Sequence, residues 1–151
     1  KLDLKDTHFA NPFGFRAPGH YSTAADLAKL TKQALAEPSF SMMVRTLVRD
    51  IATVDGTRKM SLHSTNELLV DPDVNGVKTG YTSKAGRCLI ASMFKDGHRL
   101  LLVGLNLMDQ WEQATKLLRY GHEVLHGEGQ VPAARGLPPF RLEPVPPIAA
   151  R

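Results

Sequence analysis

Cysteine is almost absent from this chain. Cys88 is the only one among 151 residues, which excludes an internal disulfide. Set in an apolar run, it reads as a small buried hydrophobe. Aromatic residues are scarce at 7%. Tyr21, Phe40, Trp111 and Tyr120 are scattered, as packing residues are, and form no stacking platform. No apolar run reaches the length of a membrane span. The chain shows no signal-peptide pattern and opens at Lys1 without Met, so an export signal is expected outside these residues. A dense basic run is also missing. The 19 Lys and Arg against 15 Asp and Glu are dispersed, which argues against nucleic acid. The net charge of +4 suits an anionic polymer or a membrane face without fixing either.

What is present is ordinary globular material, 42% hydrophobic and 23% charged, enough for one domain or part of a larger one. Residues 1–21 read as loop, with Asn11-Pro12 and Gly14 as breakers. Thr23 with Asp26 has the form of a capping box, and Leu27, Leu30 and Ala34 mark one helical face. Pro38 opens a shorter helix through Met42, Met43 and Val44. Residues 47–62 read as a weak hairpin around Asp55-Gly56. Leu68 and Leu69 precede a polar turn, Asp71-Pro72-Asp73.

Three strands follow, at 74–82, 87–94 and 99–107. Asp96-Gly97 joins the last two as an antiparallel hairpin. Cys88 and Ile90 alternate with Leu89 and Ala91, so both faces of the middle strand are apolar and need cover. One covering helix is 109–126, with Asp109 and Glu112 as its capping box, Trp111, Ala114, Leu118 and Leu125 as its buried stripe, and Gly127 as its stop. Residues 1–127 thus form one unit. Residues 128–151 hold six of the ten prolines and read as a linker or the start of a further module.

The chemistry concentrates in Val74-Asn75-Gly76-Val77-Lys78-Thr79-Gly80-Tyr81-Thr82, followed by Lys84-Ala85-Gly86. An ammonium beside a hydroxyl offers a carboxylate both charge and a hydrogen bond. An exposed strand edge lets a peptide pair as an added strand, and a glycine admits its backbone closely. Lys-Thr-Gly alone is a weak signal, because a charged edge strand also discourages aggregation.

The surrounding residues add to it. Lys78-Thr79-Gly80 in this setting resembles the Lys-Thr-Gly motif of penicillin-binding proteins. Leu4–Pro12, Gly19–Ala28, Asn66-Glu67-Leu68-Leu69 and Leu117–Gly121 resemble, in order, segments of the serine-type D-alanyl-D-alanine carboxypeptidases, the S11 peptidases. The likeness spans about residues 1–126. It implies an α+β fold, part of the penicillin-binding, β-lactamase-like transpeptidase fold, with a mostly antiparallel sheet and helices on both faces. Residues 1–127 would be the later part of the catalytic domain. The implied activity removes the terminal D-alanine of peptidoglycan stem peptides through an acyl-serine, outside the cytoplasm of a bacterium, without cofactor or metal and with β-lactams as inhibitors. Any membrane association would come through segments outside this chain.

By the same resemblance, Lys78 supplies charge and supports the proton relay, Thr79 binds the substrate carboxylate, Gly80 admits the substrate backbone and the Tyr81 N–H forms half of an oxyanion hole. The family's Ser-x-x-Lys and Ser-x-Asn segments are expected upstream of Lys1. A non-catalytic remnant that binds peptidoglycan or a partner chain is the alternative.

Three local strings compete. Ser92-Met93-Phe94-Lys95 fits Ser-x-x-Lys, but on a strand residues three apart point to opposite faces. Ser64-Thr65-Asn66 fits Ser-x-Asn but falls on the Asn-x-Leu-Leu segment. His122-Glu123-Val124-Leu125-His126 fits the zinc-peptidase helix. Its histidines fall on the stripe of Thr115 and Arg119, so solvent-facing rings are expected, and only Glu143 suggests itself as a third ligand. His8, His20, His63 and His98 read as loop or turn residues. The family also often carries an arginine near the start of its last helix, where this chain reads Asp109-Gln110-Trp111.

Overall fold

A computed structural model describes residues 2–127. The elements run α1 (Ala24–Leu35), α2 (Pro38–Val44), β1 (Val48–Ala52), β2 (Lys59–His63), a 3-10 turn (Glu67–Val70), β3 (Val74–Thr82), β4 (Gly86–Lys95), β5 (His98–Leu107) and α3 (Gln110–Leu125). The proline-rich stretch 128–151 lies outside the described residues, and with it Glu143. No described helix is long and apolar enough to cross a membrane.

The main sheet is antiparallel, in the order β3-β4-β5. Asp96-Gly97 closes the β4–β5 hairpin as expected, with φ +47° and +79° and Lys95 paired to His98. Two left-handed residues in a two-residue loop match the twist of the strands they join. Asp109 caps α3, its carboxylate accepting the Glu112 N–H at 3.0 Å. The Glu112 carboxylate pairs with Lys116 instead of returning to the cap. Ala114 and Leu118 of α3 are buried with Leu68, Leu69, Val74, Leu89, Ala91 and Met93, and Trp111 packs against this cluster. Of the stripe expected for α3, Trp111, Ala114 and Leu118 cover the sheet, through Leu89 on the middle strand, 1% exposed, while Leu125 is half-buried outside this cluster. Cys88, expected to be buried, is half-buried.

The opening residues are tied down by a group that sequence reasoning placed elsewhere. Thr23 does cap α1, accepting the Asp26 N–H. The Asp26 side chain, however, turns inward and is buried. Its carboxylate accepts the Asp6 N–H at 2.9 Å and the Thr7 hydroxyl at 2.8 Å. The Thr7 contact is the largest influence holding this carboxyl below its ordinary pKa; burial opposes it, and the Asp6 N–H and Lys29 add to the lowering. A loop whose large apolar side chains, Phe9, Phe13 and Phe15, are exposed is thus anchored to α1 by polar contacts, while His8 and Tyr21 exchange a backbone bridge. The hairpin at 47–62 also forms. β1 and β2 pair antiparallel, with every residue of both strands exposed. At its tip the Thr53 hydroxyl, then the Thr57 N–H and hydroxyl, pull the Asp55 carboxyl down to about 2.

Candidate active site

Among the described residues β3 pairs only with β4, so its other edge is open. The register places Lys78 opposite Ile90, Thr79 opposite Leu89, Gly80 opposite Cys88 and Tyr81 opposite Arg87. Leu89 belongs to the buried core, which makes the strand carrying Lys78 and Thr79 a wall of a packed sheet. Binding groups held on such an element keep their geometry better than groups on a loop.

A groove of about 600 Å³ runs beside this strand. Lys78 and Thr79 line it together with Thr65 and Asn66 and, from the β1–β2 hairpin, Arg49 and His63. Among the described residues two cations line it, and no carboxylate does. Such a groove has the electrostatic sign of a receptor for an anion. The Lys78 ammonium donates to the Thr79 carbonyl. The Thr79 and Thr65 hydroxyls share a hydrogen bond at 2.7 Å. Asn66 is buried, and its carbonyl oxygen accepts the Leu68 N–H to cap the 3-10 turn. The Asn66 amide nitrogen is buried without a hydrogen-bond partner among the described residues.

Gly80 is informative by what surrounds it. Its φ lies outside the left-handed range, and a Cβ built on it would meet nothing within 4 Å. Neither backbone conformation nor internal packing calls for glycine there. Tyr81 is 70% exposed, with the Arg87 guanidinium 5.9 Å from its ring centroid.

The four residues singled out from the sequence therefore lie contiguously on an open edge, and Lys78 and Thr79 face the groove. Sequence reasoning missed Arg49, and it set Ser64-Thr65-Asn66 aside as a catalytic string although these residues line the groove. Thr65 lies 14 residues from its partner Thr79, and nothing local announces that pairing. Ser92 is fully buried and accepts a hydrogen bond from Arg99 at 2.9 Å, while Lys95 pairs with Asp73 at 3.2 Å. That string is structural, as the strand argument expected.

The histidine motif differs from expectation. His122 is half-buried, and its Nε2 lies 2.9 Å from a carboxylate oxygen of Asp96 in the β4–β5 turn. His126 Nε2 lies 4.0 Å from the same oxygen. Both were expected to face solvent on the outer stripe: His126 is exposed, as expected, whereas His122 is drawn half-buried against the hairpin tip by its contact with Asp96. His98, expected in a loop or turn, begins β5, and its ring meets that of His126 edge-on at 5.6 Å.

Residues 1–109 match the model of the D-alanyl-D-alanine carboxypeptidase family, peptidase S11. The chain belongs to that family. It is 38% identical over 124 residues to D-alanyl-D-alanine carboxypeptidase DacF of Bacillus subtilis, covering 80% of this chain and 32% of that protein. With DacD of Escherichia coli it shares 40% over 129 residues, again 32% of the relative's length. Among solved structures it resembles the Streptomyces K15 DD-transpeptidase, with a TM-score of 0.75 and 30% identity over 80% of this chain and 49% of that one. The likeness to a D-alanyl-D-alanine carboxypeptidase from Mycobacterium tuberculosis has a TM-score of 0.71. The chain thus spans about a third of the length of the curated relatives it matches. Its fold is the corresponding part of the α+β fold of these penicillin-binding enzymes.

Proposed function

We propose that these residues supply one wall of the active site of a serine-type D-Ala-D-Ala carboxypeptidase acting on peptidoglycan stem peptides. The observation that carries the reading is the bare edge at Lys78-Thr79-Gly80, set beside a groove that, among the described residues, is lined by cations and by no carboxylate. A peptide ending in a carboxylate adds to that edge as a strand. Lys78 and Thr79 take its terminal anion by charge and hydrogen bond, with Arg49 adding positive charge to the groove. Gly80 leaves room for the peptide backbone. The Tyr81 N–H stabilises the oxyanion of the acyl transfer, and Lys78 supports the proton relay.

The nucleophile comes from residues other than these, since the one Ser-x-x-Lys string here lies on β4 with its serine buried. The reaction needs no metal or organic cofactor, and β-lactams inhibit it by acylating the same serine. Family membership, with relatives named as D-alanyl-D-alanine carboxypeptidases in bacteria, supports action on the cell wall outside the cytoplasm. A synthetic peptide ending in D-Ala-D-Ala, given to the full-length enzyme, tests this. Release of D-alanine should be abolished by penicillin and persist in a chelator. Loss in the chelator with indifference to penicillin would move the activity to a metal centre.

A further inference from the structure

We propose that Asp96, His122 and His126 form a binding site for a transition-metal dication of the zinc type, clipping the β4–β5 turn to the end of α3. The proposal stands independently of the peptidase reading. Sequence reasoning expected no metal here, because α3 alone offers two ligands and the proline-rich tail a remote third. The fold brings the third from the other direction.

His122 and His126 lie four residues apart, on one face of α3. Asp96 is held opposite them by hairpin geometry, as the first of the two left-handed residues of the β4–β5 turn. One donor atom from each residue comes within 4.8 Å of the others. The Asp96 oxygen lies 2.9 Å from one imidazole nitrogen and 4.0 Å from the other. A tetrahedral ion with ligands at ~2.0–2.1 Å sets its donors about 3.3 Å apart. The two separations from Asp96 straddle that value, and the imidazole donors lie within 4.8 Å of each other, so side-chain rotation has to draw the three together around an ion.

The donor chemistry selects the ion. Two imidazoles and one carboxylate suit zinc and its neighbours, whereas calcium and magnesium prefer oxygen alone. The carbonyl end of α3 adds a negative field that favours a cation. Asp96 and His126 are exposed, so the ion has a path in. His98 stands beside His126 as a candidate fourth nitrogen, and water serves where it does not turn inward.

The site is separate from the peptide-binding edge. Lys78 pairs with Ile90, six residues along β4 from Asp96, or about 20 Å at strand rise. Its role is to cross-link a hairpin tip to a helix end, two parts that the contacts of Asp96 with the two histidines already bring together.

The test uses the full-length protein, stripped with a chelator and dialysed. Zinc is titrated by calorimetry, and cobalt by visible absorption. One equivalent should bind saturably, cobalt should give a tetrahedral spectrum, and zinc should raise the melting midpoint. Asp96→Asn and His122→Ala should each weaken binding by at least about tenfold and abolish the melting shift. His126→Gln, at the exposed end of α3, does the same with less risk to folding, which circular dichroism verifies. His8→Ala, in the opening loop, should leave binding unchanged. Absence of saturable binding, or zinc affinity unaltered in both His122→Ala and His126→Gln, would overturn the proposal. Penicillin acylation measured on the same stripped samples reads the peptidase proposal separately, since the clip lies far from that edge.

Discussion

Gly80 shows how one residue can be understood by what it does not touch. With no neighbour within 4 Å of a built Cβ, Gly80→Ala has no clash to create inside the molecule. Thermal melting of the full-length enzyme should stay at the parent midpoint. A peptide backbone added along β3 would meet the new methyl, and acylation by penicillin should slow by about tenfold to a hundredfold. A lowered midpoint with unchanged acylation would make this glycine structural. Asp26 behaves in the opposite way, since all its work is internal. Its carboxyl is held below the ordinary value of 3.8, first by the Thr7 hydroxyl. The stabilisation is present above that ordinary value and is lost as pH falls through the lower, folded value. Acid titration followed by the NMR signals of residues 4–8 should show the opening loop detaching from α1 in that window. Asp26→Asn should remove the step and lower the melting midpoint at neutral pH; a loop as well anchored in the variant would contradict the assignment.

At the scale of elements, the sheet and α3 owe their mutual position to one apolar cluster. Leu89 sits at its centre, almost without exposure. Leu89→Ala should cost about 2–5 kcal/mol by lost burial and the cavity left behind, measured by chemical denaturation of the full-length enzyme. A cost below about 1 kcal/mol would show that α3 does not rest on β4 as described. These elements were readable in the sequence for physical reasons. The strands are short apolar runs bounded by turn residues, Asp96-Gly97 tolerates left-handed backbone, and Asp109 caps a helix whose apolar residues recur at helical spacing. The edge proposed to bind the peptide was readable because its residues are consecutive. What joins elements across space was not. Thr65 to Thr79, Asp26 to the opening loop and Asp96 to His122 are pairings set by how finished elements pack, and the last spans 26 residues.

For the molecule as a whole, the described residues form a sheet with one open edge and a groove whose lining includes the exposed Met42 and Met43 of α2. Phe13 and Phe15 of the opening loop are also exposed, at 75% and 71%. Apolar surface of this extent favours association, so the 151-residue chain by itself should sediment as oligomers and melt without a sharp cooperative transition. A cooperative monomer would contradict this. The same isolated chain should take up no label from a fluorescent penicillin, since Ser92 is buried within the sheet. The central claim is that Lys78 aims its charge at the reacting ligand, and one measurement tests it most directly: the acylation rate of the full-length enzyme by fluorescent penicillin, parent against Lys78→Ala. Because Lys78 is exposed, folding should be unaffected, and the rate should fall by about 10²–10³-fold, as for loss of a group that stabilises developing charge. A variant that acylates at the parent rate would contradict the account and place the active site elsewhere.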